Sequence, residues 1–451
     1  NNRSQSAMAF LRSFGVLVFF LATAARGADS PNILYIMTDD HGAGALSSYG
    51  STINETPNLD RIAKGGIRMD NSYVTYSLCS PSRAAILTSK YAHVNGQTSI
   101  GGSFFDGSQQ TFPKLLQQAG YQTAVIGKWH LGLEEENQPT RRGFDFFHGF
   151  LGDMMDDYYH HRRHGNHYMR RNEEPVHPKG HATDIFTRWA VDYLKERARV
   201  VSKPPGQANP FFLYLAYNAP HTPIQPPRDW VERVQRRQPQ IDPGRAKLVA
   251  LIEHMDDGIG RVLKALKATG QAGNTLVIFS SDNGGQLSVG ANNGPLRDGK
   301  QSVYEGGLKV PAVAWGYGVK ASGQTCGEVI MGMDFYPTLV ELAGLSLEQS
   351  HRPDGTSLVP LLRGEKSLER ESVFWHFPCY IGRGLPSSVI RKGDLKLIHF
   401  FDFILHQKKN TQIGHWVLLI KYPNKFYYFD PTGRSIEEAL AITHEKGYIF
   451  R

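Results

Sequence analysis

The apolar residues of the chain fall into short continuous runs that are separated by helical patterns. Continuous runs are typical of strands buried on both faces of a sheet, and here they cover residues 32–37, 123–126, 211–215 and 275–279. Helical patterns lie between them, at residues 56–66, at 113–119 and after Thr183. This alternation predicts an α/β fold in which helices cover both faces of a mainly parallel sheet.

The alternation of strands and helices fades after residue 355. Residues 372–400 are typical of strands joined by a turn at Gly393-Asp394, which predicts a small antiparallel C-terminal subdomain. We therefore divide the chain into a main α/β domain (28–345) and a small C-terminal subdomain (346–400), which we interpret as incomplete. Residues 1–27 precede the main domain, and residues 401–451 form a tail of uncertain origin.

The first 27 residues have the pattern of an export signal. Counted from Met8, Arg12 is followed by an apolar stretch over residues 14–21 and then by small residues that suit a cleavage site. The stretch is too short to span a bilayer comfortably, so a removed signal peptide is favoured over a stable membrane anchor. We expect a secreted or periplasmic protein and interpret residues 1–7 as an upstream remnant.

Composition restricts the possible classes of function. The chain has 451 residues, 40% of them hydrophobic, and a net charge of +8, which is compatible with an anionic substrate. The basic residues are scattered and form no nucleic-acid motif, so no nucleic-acid partner is expected. The three cysteines, Cys79, Cys326 and Cys379, are too few for a disulfide-stapled scaffold, and whether Cys326 and Cys379 pair is left open.

The segment Cys79-Ser80-Pro81-Ser82-Arg83 carries the strongest chemical signal. Pro81 suits the first turn of a helix, which places Cys79 at a helix N-terminus, where free N–H groups favour an anion. Arg83 would lie one turn along the same face. A buried cysteine beside a capped helix is the alternative.

Two pairs of polar residues follow buried strands. Asp39-Asp40 follows the first run and Asp282-Asn283 follows the last, at the strand ends where such sheets bind ligands. Adjacent carboxylates repel unless a cation compensates them, and a hard divalent ion prefers oxygen ligands. Ordinary exposed turns are the alternative for both pairs.

Several basic side chains come next to these elements. Lys128 and His130 would point to the same face if both lay on a strand, where they would suit a tetrahedral anion. His221 lies between two prolines after the third run, and Lys300 lies in a glycine-rich segment. Taken alone, each is equally compatible with an ordinary loop or strand end.

Residues 148–181 are polar, irregular and rich in histidine. Between its terminal residues His148 and His181 lie five more histidines, His160, His161, His164, His167 and His177. A metal-binding tract is one interpretation, and a solvated insertion near the mouth of the active site is the one we prefer.

Together these segments resemble the type I sulfatases. The matching blocks, in family order, are 31–60, C-x-P-S-R at 79–83, thirteen consecutive positions at 120–132, Asn218–Pro223, and 299–311 with its Gly-Lys and Glu-Gly-Gly elements. Ala45 and Gln301 depart from the common pattern without touching an inferred ligand. The resemblance covers roughly residues 31–400 and implies an alkaline-phosphatase-like fold.

The resemblance also implies a mechanism. Cys79 would be oxidised to formylglycine by a formylglycine-generating enzyme, and the aldehyde hydrate would attack sulfur. Ca²⁺ would be held by Asp39, Asp40, Asp282, Asn283 and the modified Cys79. The remaining implied roles are activation of the hydrate by Asp282, its steadying by Arg83, neutralisation of sulfate by Lys128 and Lys300, protonation of the departing alcohol by His221 with Lys300, and proton removal by His130.

The implied function is hydrolysis of sulfate esters, with a sulfated small molecule or polysaccharide, most often a carbohydrate in this family, as substrate. The segments expected to contact the leaving group are 95–110 and 148–181. One alternative is a phosphonate or phosphodiester hydrolase of the same superfamily. Another, from a different class, is an inactive glycan-binding protein.

The tail does not fit this resemblance. From about Phe401 the sulfatase ending is not recognisable, and residues 414–420 and 427–433 resemble elements of adenovirus-type cysteine proteases. Such a protease needs a downstream cysteine nucleophile, and none follows Cys379. Proteolysis by the tail is therefore not expected, and a fused fragment is the favoured interpretation.

Overall fold

A computed structural model describes residues 30–100, 108–201, 209–347, 351–365, 367–378, 384–400 and 419–420. The predicted signal peptide, Cys379 and nearly all of the tail lie outside these ranges, so the predictions made for them stay predictions. Within the described residues, no helix combines the length and the apolar character that crossing a bilayer requires.

Strands in chain order are β1 (Asn32–Thr38), β2 (Ile67–Tyr73), β3 (Gln122–Lys128), β4 (Phe146–Phe150), β5 (Arg162–Arg163), β6 (Asn166–His167), β7 (Met169–Arg171), β8 (Glu174–Pro175), β9 (Phe211–Ala216), β10 (Thr275–Ser281), β11 (Ala312–Gly316), β12 (Gln324–Met331), β13 (Val373–Phe377), β14 (Ser387–Lys392), β15 (Leu395–Phe400) and β16 (Leu419–Ile420). The α-helices are α1 (Pro57–Gly65), α2 (Cys79–Thr88), α3 (Ala92–Asn95), α4 (Phe112–Gln118), α5 (Ala182–Val201), α6 (Arg228–Arg237), α7 (Pro243–Ala268), α8 (Glu305–Leu308), α9 (Phe335–Leu342) and α10 (Val359–Leu362).

Ten strands form the central sheet, in the order β12-β2-β11-β10-β1-β9-β3-β4-β7-β8. The middle strands β10, β1, β9, β3 and β4 are all parallel, and antiparallel partners flank them. This confirms the predicted α/β fold with a mainly parallel sheet. Because the middle strands run in one direction, their carboxyl ends meet at one edge.

Both faces of the sheet are covered by helices, as the continuous apolar runs predict. On β1, Ile33, Tyr35 and Met37 pack in one core cluster with residues of α2, α4 and α9. Leu34 and Ile36 pack in a second cluster with residues of α5 and α7. Adjacent residues of β1 pack in two different cores, so neither face of the strand is exposed to solvent. This explains why polar and apolar residues do not alternate along it.

The last described strands form a separate antiparallel sheet in the order β13-β14-β15-β16. Gly393 occupies the turn between β14 and β15 with φ +57°, so the predicted Gly-Asp turn is confirmed. The sheet packs on the main body through Trp375, whose indole N–H donates to the carbonyl of Val74 at 2.7 Å. The small antiparallel C-terminal sheet is therefore present.

Gly127, one residue before the end of β3, allows β3 and β9 to approach each other. It has φ +109°, and a Cβ placed there would lie 1.9 Å from the carbonyl oxygen of Ala216 on β9. Any side chain would therefore displace the neighbouring backbone. Since Lys128 follows directly, the position of this lysine depends on that close approach.

We expect Gly127→Ala to lower the free energy of unfolding by more than about 3 kcal/mol, because backbone strain and a backbone clash act together. Gly270→Ala is the matched control, since Gly270 has φ +73° but open space around it, and it should cost about 1 kcal/mol. Urea unfolding measures both. Equal losses for the two variants would contradict the proposed role of the close approach.

Candidate active site

The predicted site residues converge at the carboxyl edge of the central sheet. Asp39 and Asp40 follow β1, Asp282 and Asn283 follow β10, Lys128 ends β3, and Cys79 begins α2. Hydrogen bonds join residues more than 240 positions apart, such as Asp40 N–H to Asp282 Oδ1 at 3.2 Å. The parallel pairing of β1 with β10 brings these segments together, because Thr38 lies opposite Ser281.

Cys79 is buried against the carboxylates. Its side chain is 2% exposed, and Sγ lies 3.3 Å from Asp39 Oδ1 and 4.0 Å from Asp40 Oδ1. Burial, and then the charge of Asp39, raise the pKa of the Cys79 thiol well above its usual range. An unmodified Cys79 is therefore a neutral thiol, which is a poor nucleophile and a poor metal ligand.

Arg83 lies one turn along α2 and pairs with the carboxylate that follows β10. Its Nε and Nη2 lie 2.9 and 2.8 Å from Asp282 Oδ2, and Nη2 is also 3.7 Å from Asp39 Oδ2. Burial and the neighbouring Asp39 raise the pKa of Asp282, whereas the charge of Arg83 and the hydrogen bond from its Nε favour the ionised form. Arg83 therefore compensates a carboxylate that has no access to water.

Two lysines compensate the other carboxylates. Lys128, which is fully buried, pairs with Asp39, and Lys300 Nζ lies 2.8 Å from Asp40 Oδ2. Burial would raise the pKa of Asp40, but Lys300 and then His221 lower it overall. Three carboxylates and three cations thus balance one another in a dry pocket.

His221 is oriented by its own loop. Its Nδ1 lies 2.7 Å from the carbonyl oxygen of Thr222, so Nδ1–H donates there. Nε2 then carries the lone pair and accepts from Lys300 Nζ at 3.1 Å. Lys300 and the Thr222 carbonyl together fix the orientation of the imidazole.

His130 reaches the site by a route that differs from the prediction. β3 ends at Lys128, and His130 has φ +58°, so the expectation that both side chains share one face of a strand is wrong. Instead, the turn is fixed by Trp129 N–H and His130 N–H, which donate to the carbonyls of Phe150 and Leu151. His130 Nε2 lies 3.2 Å from Ser80 Oγ, beside Cys79.

His130 is uncharged in this environment. Burial lowers its pKa well below the usual range, and the nearby cations, Lys128 and then Arg83, lower it further. Its Nδ1 is buried and has no hydrogen-bond partner among the residues that the structure describes. A neutral imidazole with a lone pair can accept a proton.

The buried cluster at this site is compatible with a metal ion. Ligand atoms of Asp39, Asp40, Cys79 and His221 all lie within 4.8 Å of one another. Asn283 donates its Nδ2 to Asp40 Oδ1 at 2.7 Å, while its buried Oδ1 has no partner within the described part of the chain. A buried amide oxygen without a donor is costly, and a cation would satisfy it.

The histidine-rich segment does not supply a second metal centre. Within the described ranges, none of its five inner histidines belongs to a group of three potential ligands. A group of that size does form from His181, Asp184 and His254. However, His181 accepts from Thr183 N–H at Nδ1 and lies 3.0 Å from the carbonyl of Gln225 at Nε2, so it has no free lone pair.

Two contacts of the site were not predicted. Tyr214 OH lies 3.4 Å from Arg83 Nη1, but its position inside the apolar run of β9 is typical of a core residue. Lys396 on β15 donates to the carbonyl of Val303 at 2.7 Å and to Glu305 at 3.0 Å. It thereby fastens the loop that carries Lys300, and only the folded arrangement of the small sheet reveals this.

With the geometry established, comparison with known proteins identifies the family. The sulfatase family profile matches residues 31–345, and a profile for the C-terminal part of N-sulphoglucosamine sulphohydrolase matches residues 298–409. The chain belongs to the sulfatase family. The second match also extends the likeness to residue 409, beyond the limit near Phe401 that the motifs indicated.

Named sulfatases are among the relatives of this protein. Human N-acetylgalactosamine-6-sulfatase is 33% identical over 384 residues, or 78% of this chain and 69% of the relative. The N-acetylglucosamine-6-O-sulfatase of Bacteroides thetaiotaomicron is 30% identical over 472 residues, or 83% of this chain and 79% of the relative. The protein is accordingly a sulfatase enzyme.

Solved structures resemble the sulfatase over most of its length. Ps i-CgsB in complex with k-i-k-neocarrahexaose has a TM-score of 0.74 and 31% identity, over 82% of this chain and 84% of that chain. BT4656 in complex with its substrate D-glucosamine-2-N,6-O-disulfate has a TM-score of 0.68 and 28% identity, over 86% and 90%. A phosphonate monoester hydrolase of Agrobacterium radiobacter shares the fold, with a TM-score of 0.62, 21% identity and coverage of 82% and 87%.

We expect Arg83→Met to lower the free energy of unfolding by about 3–5 kcal/mol, because Asp282 would be left buried without its cation. Arg228→Met is the control, since Arg228 makes the same kind of pair with Glu232 at an exposed site, and it should change stability by less than about 0.5 kcal/mol. Urea unfolding followed by tryptophan fluorescence measures both. A loss below about 1 kcal/mol for Arg83→Met would contradict the argument.

Proposed function

We propose that the protein hydrolyses sulfate esters of carbohydrates at the pocket around Cys79. The observation that carries the proposal is the placement of Lys128, Lys300 and Arg83 around one buried position beside Asp39 and Asp40. The named relatives act, by their names, on sulfated amino sugars, which supports a sulfated sugar as the substrate class.

Conversion of Cys79 to formylglycine would supply the nucleophile, as the hydrate of its aldehyde. The raised pKa of the Cys79 thiol supports this modification, because the unmodified side chain is poorly suited to attack. Since Cys79 is 2% exposed, a formylglycine-generating enzyme would have to act before the chain folds. The predicted signal peptide would fit export of the same chain, and secreted or periplasmic localisation is part of the proposal.

Ca²⁺ is the cation that the oxygen donors of the site suit best. Asp39, Asp40, Asp282 and Asn283 would hold it, together with the modified side chain at position 79, and it would compensate negative charge on the substrate. The unpartnered Oδ1 of Asn283 supports this assignment. Asp282 would also activate the nucleophile.

Lys128 and Lys300 would bind the sulfate oxygens. Both ammonium groups are held in place before substrate binds, by Asp39 and Asp40 respectively, so little reorganisation is needed when negative charge develops. Arg83, held by Asp282, would steady the nucleophile from the side of α2.

Two histidines would move protons at opposite stages of the reaction. His221, which lies 3.1 Å from Lys300 at Nε2, would protonate the departing alcohol oxygen together with Lys300. His130, neutral because of its burial, would take a proton from the nucleophile when sulfate is released.

A phosphonate or phosphodiester hydrolase is the alternative reaction, and its support is the shared fold alone. A glycan-binding protein without activity is the alternative from another class, and it requires Cys79 to stay a thiol.

Replacing Cys79 by Ala should reduce sulfate release from an aryl sulfate on the order of 10³-fold or more, because the nucleophile is lost. Cys326→Ala is the control, since Cys326 lies on β12, away from the site, and it should retain activity. Mass spectrometry of the peptide containing Cys79 should show the aldehyde form in active protein.

Three outcomes would count against the proposal. They are undiminished turnover by Cys79→Ala, a thiol at position 79 in active protein, and faster turnover of an aryl phosphonate or phosphodiester than of the aryl sulfate. The last outcome would favour the alternative reaction.

Added Ca²⁺ should raise the melting temperature of the metal-free protein by several degrees, since at 100 times the dissociation constant a ligand stabilises by about 2.7 kcal/mol. Asp40→Asn should abolish the shift, and Asp257→Asn, at an exposed position of α7, should preserve it. Differential scanning calorimetry measures the three proteins. An equal shift in Asp40→Asn would show that Ca²⁺ binds elsewhere.

A further inference from the structure

A cavity of about 330 Å³ opens beside the candidate active site. Ser80 and His130, which contact each other next to Cys79, form one wall. His130 is nine-tenths buried, and its Nδ1 has no hydrogen-bond partner in the described part of the chain. The volume lies at the lower end of the range for small-molecule sites, and a substrate whose sulfate lies at Cys79 would extend into it.

The charged groups of the cavity give it a negative balance. Glu134, Asp153 and Arg163 line it. Asp153 accepts from Arg163 Nε at 2.8 Å and from Nη2 at 2.9 Å, and Asp156, behind it, accepts from Nη1 at 3.1 Å. The single guanidinium is therefore compensated by two carboxylates.

Glu134 adds a further negative charge at the rim. Among the described residues no cation pairs with its carboxylate, which accepts one hydrogen bond there, from the N–H of Leu133 at 3.2 Å.

The same groups suit uncharged sugar substituents. The Asp153–Arg163 pair presents carboxylate acceptors next to guanidinium donors, and a hydroxyl or an amide can use both. Tyr168, Leu133 and Leu151 also line the cavity and offer apolar surface to the carbon face of a ring.

We propose that this cavity selects sugars whose reacting sulfate is their only anionic group, and that Glu134 and Asp153 impose the selection. The inference rests on the proposed sulfatase function. A second sulfate or a carboxylate on the same ring would meet the net negative charge of Glu134 and of the Asp153–Arg163–Asp156 group, whereas hydroxyl and acetamido groups would be accepted. BT4656, whose substrate is a disulfated glucosamine, would differ from this protein in that respect.

The test compares N-acetylgalactosamine 6-sulfate with N-acetylgalactosamine 4,6-disulfate. We expect the matured enzyme to release the 6-sulfate from the monosulfated sugar with a kcat/KM at least about tenfold higher, given the Coulomb energy of a like charge a few ångströms from a partly exposed carboxylate. Glu134→Gln and Asp153→Asn should each lower this ratio at least about threefold. Because both substrates are measured on one preparation, the ratio does not depend on the fraction that is folded.

Glu135→Gln is the matched control. Glu135 is the next residue in the chain, pairs with Arg141 at the surface and does not line the cavity, so its removal should leave the ratio unchanged. A ratio below about threefold in the unsubstituted enzyme would overturn the proposal. An unchanged ratio in both Glu134→Gln and Asp153→Asn would also overturn it.

A binding measurement distinguishes a failure of this inference from a failure of the proposed function. Isothermal titration of the two sugars into Cys79→Ala needs no turnover, and the monosulfated sugar should bind at least about tenfold more tightly. If the matured enzyme releases no sulfate from either sugar, the proposed function fails while this comparison still decides the charge preference. Equal affinities would overturn the preference even if sulfate is released.

Discussion

The mutual compensation of three carboxylates and three cations at the edge of the central sheet is the interaction on which the site depends. Each ion is withdrawn from water, which would be prohibitive for any of them alone. Asp39 with Lys128, Asp40 with Lys300, and Asp282 with Arg83 offset that cost pairwise. These pairings hold charged side chains in fixed positions in a site that excludes water.

The same compensation explains why the fold is arranged as it is. The partners come from β1, β3, β10, the start of α2 and the loop before α8, and only a parallel sheet with both faces covered brings these ends together. The close approach at Gly127 and the turn at Trp129-His130 contribute to this compensation, since both position cationic or basic side chains against the carboxylates. Packing and catalytic geometry are thus set by the same backbone contacts.

Much of this arrangement could be predicted from the residues, and the limits have physical causes. β1, β3, β9 and β10 could be predicted because strands that are buried on both faces have continuous apolar sequences. β2 was not predicted because Arg68, Asp70 and Asn71 interrupt its apolar pattern. These side chains are tolerated there because the sheet is only partly covered. The long helix α7 was also not identified.

The candidate site residues were predicted from the motif resemblance, whereas the pairing of each carboxylate with its cation was not. That pairing depends on strand order, which the sequence pattern does not specify. The prediction that Lys128 and His130 share one face was wrong, because β3 ends at Lys128 and the two-residue period of a strand does not extend to His130.

The buried contact of Lys396 with Val303 and Glu305 ties the small C-terminal sheet to the loop that carries Lys300. Lys396 does not belong to the candidate site, yet the residues that it holds, Val303 in that loop and Glu305 at the start of α8, follow Lys300 closely. A substitution in this outer sheet would therefore be expected to disturb that loop without changing any residue of the candidate site itself.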